Sequence, residues 1–279
     1  VFHIIASTGR TATTYIANVL NQVDGVAACH EGYLGSDKTV DPILPLINVE
    51  NHLCYKSPDI AKKVVLEKRN SQAISDALGA TSSNVLIDVA YYNPTIMRAL
   101  LEEYPTLCVL GIIRSCEDFV RSSVSLTGED LLPVGWPDPD KDLTEREKFI
   151  SLGRIKPLRS SAAKAAWKSW GSIERNIWLW RETNTLILKC KSDYSSRVSV
   201  LRFDQIKQDS DRFWAEVFGR FDLSASQDIE GYLHQATRYR NKKTAGYQIP
   251  DSSKWTDNQR RLLHEAVVTI DRMLESINE

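Results

Sequence analysis

Phe2-His3-Ile4-Ile5-Ala6, then Ser7-Thr8-Gly9, then Arg10-Thr11-Ala12-Thr13-Thr14-Tyr15: this opening stretch decides the fold. A short apolar run stopped by small residues reads as a buried strand. From Thr13 to Val23 the apolar residues Ile16, Val19, Leu20 and Val23 recur at helical spacing. The order is strand, small-residue loop, helix. Such a loop aims backbone N–H groups one way, and the helix start adds about half a positive charge, which makes a site for phosphate. Gly9 and Ala12 leave the backbone open to close approach, Thr11, Thr13 and Thr14 offer hydroxyls, and Arg10 supplies a planar cation able to grip two oxygens. The plainer alternative is a strand–helix turn with capping threonines.

Outward from that loop the chain keeps the same grammar. Val26–Cys29 reads as a second strand ending at His30-Glu31, and Asn84–Asp88 as a third with Asp88 at its end. Pro94–Glu103 reads as a helix with Pro in its first turn. Leu107–Ile113 is a nearly all-apolar strand, and Cys116–Val124 a helix with Glu117 and Asp118 at its positive end. Strands alternating with helices argue for an α/β fold with a central parallel sheet covered on both faces. Residues 128–157 carry Pro133, Pro137 and Pro139 and a charged run, which reads as a surface insertion. Ala162–Thr183 is Trp-rich with helical period. Val198–Phe203 is a late strand, Phe213–Phe221 and Asp257–Leu274 are closing helices, and Arg238–Lys243 is basic. No internal repeat interrupts this order, so the expectation is a single domain over 1–279.

Bulk properties exclude several classes. With 35 basic and 36 acidic residues the net charge is −1, which gives no electrostatic case for nucleic-acid or membrane binding. The five cysteines are odd in number and lack a CxxC pair, which argues against a disulfide framework or structural zinc and for a reducing, cytoplasmic setting. No apolar run approaches the ~20 residues that span a bilayer. Val1 is not a natural start, so a removed N-terminal anchor or signal stays an open alternative. Oligomeric state is not legible.

The loop is not a Walker A motif: no Gly-Lys pair exists, and the cation sits early. Arg10-Thr11-Ala12-Thr13-Thr14-Tyr15 instead resembles the 5′-phosphosulfate loop of sulfotransferases that use 3′-phosphoadenosine-5′-phosphosulfate (PAPS), with Ala12 in place of the usual Gly. A second stretch strengthens the resemblance. Arg114 follows an apolar strand, and Ser122 lies eight residues later in the next helix, the family's spacing for its 3′-phosphate loop. Strand ends of α/β sheets are where ligands bind, though a solvated Arg and a helix-face Ser remain the alternative. Asn241–Gly246, with Lys242 and Lys243, loosely resembles the family's basic loop over the 3′-phosphate. Solvated lysines are the equal alternative.

The resemblance implies a P-loop-like sulfotransferase architecture and transfer of a sulfuryl group from PAPS to a hydroxyl or amine of a small-molecule acceptor, such as a natural product, releasing 3′-phosphoadenosine-5′-phosphate (PAP). No metal is required, and no metal-ligand spacing is visible. Arg10 then stabilises charge on the leaving oxygen. An acceptor proton calls for a base. Glu31 follows Arg10 by 21 residues, the offset of the catalytic Glu in sulfotransferases of the tyrosylprotein type; His30 is second. Lys56 and Asp88 are further pocket candidates. Tyr15 occupies a position where family members stack an aromatic near adenine, or it is a core aromatic. Two other readings stay open: a P-loop kinase-like phosphotransferase, and a nucleotide-binding module without catalysis.

Overall fold

A computed structural model describes residues 1–35, 37–124, 153–158, 161–224, 233 and 249–278. Among them six strands form one sheet in the order β3-β2-β4-β1-β5-β6, where β1 is Phe2–Ser7, β2 Val26–His30, β3 Tyr33–Leu34, β4 Val85–Ala90, β5 Val109–Ile113 and β6 Val198–Arg202. All pairings are parallel except β2 with the two-residue β3. The near-continuous apolar runs in β1 and β5 are what a strand covered on both faces requires. Ile4, Ile5, Val109 and Ile112 are fully buried.

Helix α1 (Thr13–Leu20) and α10 (Ser210–Phe221) cover one face through Ile16, Val19, Leu20, Phe213 and Val217. The other face is covered by α3 (Pro58–Lys68), α4 (Ser71–Thr81) and α5 (Asn93–Glu103), and by Ile187 and Cys190 of the long α8 (Ser172–Asp193). A third apolar cluster joins α6 (Cys116–Val124), α7 (Ser161–Trp167), α8 and the closing α11 (Asp257–Asn278). The short α2 (Asn51–Lys56) and α9 (Gln205–Gln208) and a 3-10 turn at Ser252–Lys254 are also described.

This topology places the site. The central neighbours β1 and β5 are parallel, so their carboxyl ends share one edge. From β1 the chain leaves towards β2; from β5 it leaves towards β6, on the opposite side. Right-handed crossovers put those two connections on opposite faces of the sheet. A crevice opens between them, the position where open α/β sheets bind ligands.

Several expectations need correction. Asp88 does not end its strand: β4 runs to Ala90, and Asp88 is wholly buried. The Trp-rich stretch is two helices, α7 and α8, separated at Lys168–Gly171. The three helices over 51–81 and strand β3 were not expected. Of the proposed surface insertion, residues up to 152 lie outside the described residues. Residues 153–157 pack inward, with Ile155 only 2% exposed. Lys242, Lys243 and the rest of the basic segment lie outside the described residues.

Candidate active site

The first loop is held in an unusual backbone. Gly9 (φ 75°), Arg10 (φ 57°) and Ala12 (φ 54°) are all left-handed. For a residue with a side chain this costs roughly 1–2 kcal/mol. Five non-glycine residues among those described adopt positive φ: Arg10, Ala12, Glu31, Ser82 and Asp222. Ser82 and Asp222 are helix C-caps of α4 and α10, a position that favours this conformation. The other three all flank the carboxyl ends of β1 and β2, and strain that no cap explains gathers where a ligand or a reaction needs it.

Internal contacts brace the loop. Ser7 Oγ accepts from the Gly9 amide at 3.1 Å and from Thr11 Oγ1 at 2.8 Å. Thr11 is fully buried, and its hydroxyl stiffens the loop. The start of α1 is left open. Ala12, its N-cap, makes no side-chain cap, and no acid lies in the first turn. Helices α2 and α5 likewise lack a cap and a first-turn acid, whereas α3 is capped by Ser57, α4 by Asn70 and α10 by Asp209, and α6 carries Glu117 and Asp118. An amide-rich helix start without its own acid or cap suits an anion.

The two sequence-distant motifs meet here. Arg10 Nε donates to Ser122 Oγ at 3.1 Å, and Arg114 Nη1 donates to the Arg10 carbonyl at 2.7 Å. Arg114 lies over the Phe203 ring, 5.0 Å from its centroid. Its own carbonyl accepts from Trp180 Nε1 at 2.8 Å. Two guanidiniums and a hydroxyl from β1–α1 and β5–α6 thus share one end of the crevice.

His30 and Glu31 stand at the end of β2, beside α1. His30 Nε2 lies 3.0 Å from Thr13 Oγ1, 3.5 Å from Thr14 Oγ1 and 3.9 Å from Glu31 Oε1. Burial pulls the imidazole below its usual value, outweighing the Glu31 carboxylate, so at neutral pH the ring is uncharged. Glu31 pairs with Lys38 Nζ at 3.2 Å through its other oxygen. Thr14 is exposed, whereas Thr13 is buried. Tyr15 packs edge-on against Trp214, centroids 5.9 Å apart, in the manner of a core aromatic.

Two candidates stand elsewhere. Asp88 pairs with Arg69 (Nη2–Oδ2 2.9 Å, both side chains 0% exposed) and lies near the Tyr92 hydroxyl and Cys29 Sγ. Its carboxylate serves a buried cation, one of the two roles its place in the sequence left open. Lys56 is exposed at the end of α2.

Sequence reasoning missed Arg154 and Tyr91. Both line a small cleft with Thr8, Asn51, Thr95 and Thr183. Tyr91 follows β4 on the same sheet edge; burial, with the Glu31 charge adding, raises its hydroxyl so that it stays protonated. A larger cleft of ≈ 530 Å³, lined by Trp170, Glu174, Arg181 and Arg261 among others, contains none of these residues. Among the described residues no group of three His, Cys, Asp or Glu side chains is placed to hold a metal, and no helix is long and apolar enough to cross a membrane.

No family model matches the chain, and no curated protein does. Solved structures are similar at low identity. The sulfotransferase domain from the curacin biosynthetic pathway is 11% identical (TM-score 0.47), over 99% of this chain and 96% of that one. A sulfotransferase from Alicyclobacillus acidocaldarius is 13% identical (TM-score 0.45), over 98% and 95%. A mouse sulfotransferase complexed with PAP is 11% identical (TM-score 0.43), over 95% and 82%.

Proposed function

We propose that this chain is a cytoplasmic, single-domain sulfotransferase over residues 1–279. It moves the sulfuryl group of PAPS to a hydroxyl or amine of a small-molecule acceptor and releases PAP. The observation that carries the reading is the junction of the two motifs: Arg10 on Ser122, and Arg114 on the Arg10 carbonyl, at the crevice between β1 and β5. A donor phosphorylated at both 3′ and 5′ positions calls for two anion sites close together. The uncapped start of α1 suits the 5′-phosphate, and Arg114 with Ser122 suits the 3′-phosphate.

In the reaction the bond from sulfur to the 5′-phosphate oxygen breaks as the acceptor oxygen or nitrogen bonds to sulfur. Arg10 and the α1 amides stabilise the charge growing on the departing oxygen. Glu31 takes the acceptor proton. Its left-handed backbone and its tie to Lys38 fix the carboxylate beside the loop. His30 serves the site by orienting Thr13 and Thr14. Positioning and charge stabilisation do most of the work, as in phosphoryl transfer.

Thermal stability is the direct test. PAP at about 100 times its Kd adds about 2.7 kcal/mol to the folded state, and ATP should add far less. A response to ATP with none to PAP would sink the reading in favour of a kinase-like phosphotransferase. With a simple phenol as acceptor probe, Glu31→Gln should lower transfer from PAPS by about 10²–10⁴-fold while PAP binding persists. Unchanged transfer would remove Glu31 as the base.

A further inference from the structure

The cleft of ≈ 530 Å³ opens where α7, the start of α8 and the start of α11 meet. Its volume falls within the ~300–1,000 Å³ of small-molecule sites. It holds no residue of the first loop, of Arg114–Ser122 or of His30-Glu31. The start of α11 is fixed beside it by a reciprocal cap. The Thr256 amide donates to Gln259 Oε1 at 3.0 Å, and the Gln259 amide donates to Thr256 Oγ1 at 3.3 Å. Gln259 Nε2 then reaches α8 and donates to Glu174 Oε1 at 3.1 Å.

The charged groups lining the cleft are unequally used. Glu174, the one acid among them, has Oε1 on Gln259 and Oε2 shut off from solvent. Arg261 is held along α11, with Nη1 on Glu265 Oε1 at 2.7 Å and Nη2 on Asn258 Oδ1 at 2.8 Å. Arg181 stands two helical turns beyond Glu174, on the same face of α8. It is half-buried, and among the described residues it makes no hydrogen bond or ion pair. A guanidinium drawn partly out of water and left without an acceptor suits a carboxylate, which meets its planar fork with two parallel bonds. Trp170 adds an aromatic wall, braced edge-on by Trp167 with centroids 6.1 Å apart. Ala162 and Ala166 of α7 leave the space that larger side chains would fill. Glu174 in the same wall limits the match to a single negative charge.

We propose that this cleft binds a small aromatic monocarboxylate, its carboxylate on Arg181 and its ring against Trp170 and the α7 alanines. The site is separate from the crevice between β1 and β5, and it stands whether or not the chain transfers sulfuryl groups.

Calorimetric titration with 2-naphthoate and with its neutral amide tests the site. The wild type should bind the carboxylate about tenfold or more tightly than the amide. Arg181→Gln should lower naphthoate affinity about 10–100-fold, the usual worth of a charge-assisted hydrogen bond, and bring it to the level of the amide. Ala166→Leu fills the cleft with another good helix former; it should abolish binding of both probes while the melting temperature holds. Arg10→Ala, in the other crevice, should leave naphthoate binding unchanged. A wild type that does not bind millimolar naphthoate, equal affinity for the amide, or unchanged binding in Arg181→Gln would each overturn the proposal. Loss of binding in Arg10→Ala would overturn it as well, by placing the probe in the crevice between β1 and β5.

Discussion

Two arginines on neighbouring strands' territory, Arg69 and Arg10, show how differently one side chain is used. Arg69 is wholly buried, and its donors are spent inside the protein: Nε and Nη2 on Asp88, Nη2 also on the Tyr92 hydroxyl, and Nη1 on the carbonyls of Pro45 and Lys68. A carboxylate neutralises it. Arg10 sits half-buried on a strained loop, braced through Nε by the neutral hydroxyl of Ser122. A guanidinium closed off by a carboxylate and carbonyls fixes a fold. One placed at a sheet's carboxyl edge, beside a helix start, stands where an anion would be received under the proposed function. Burial alone separates the two settings poorly, since Arg114 is also buried; their places in the fold separate them.

The comparison can be broken first at Asp88. Asp88→Ala leaves Arg69 as an uncompensated buried cation and should cost about 3–5 kcal/mol of stability, read as a lower denaturation midpoint. PAP affinity of the remaining folded protein should be preserved. An apolar pair replacing Asp88 and Arg69 together should recover much of the loss, because neither charge is then stranded. At Arg10 the effects should be reversed. Arg10→Ala should lower sulfuryl transfer to a phenol probe by about 10²–10³-fold and shift the melting temperature little. A large fall in stability there would make Arg10 a structural residue like Arg69.

Acidification probes the ordinary core beside both. His3 is buried, stacks on Phe221 and accepts the Cys108 amide through Nδ1 at 3.1 Å. Burial first, then the N-terminal amine and Arg220, lower its value from 6.5 to about 4. The unfolded chain binds this proton more readily, so stability is full above pH ~6.5 and falls as pH drops towards ~4, by on the order of 3 kcal/mol. His3→Gln should flatten that slope in denaturant titrations between these pH values. The smallest effect is expected at Ala12. Ala12→Gly relieves its φ of 54° and should raise stability by about 1 kcal/mol or less, the gain offset by greater freedom in the unfolded chain. A loss of PAP affinity in that variant would show that the strain preorganises the loop.

Local pattern made much of this legible. β1, the loop and α1 were readable because a strand stop, small residues and helical spacing fall within twenty positions, and the start of α6 at Cys116 matched. Asp88 misled because a polar residue in an apolar run resembles a strand end; Arg69, nineteen positions earlier, is what allows the strand to continue through it. Thr11 and Thr14 are the same residue type in one loop, yet one turns inward to Ser7 and the other faces solvent. Composition does not encode that direction.

By itself the sequence determined the alternation of strands and helices, the strand–loop–helix order around residues 7–14 and the spacing of Arg114 to Ser122. Each depends on neighbours within a few turns of chain. Only the tertiary structure decided that Arg10 meets Ser122, that Asp88 belongs to Arg69, and that Arg154 comes to lie beside Thr8 and Tyr91. Those meetings depend on strand order and on clamps such as Asn51 to Gly153. Contacts between distant segments are set by how the sheet assembles, and no local periodicity records it.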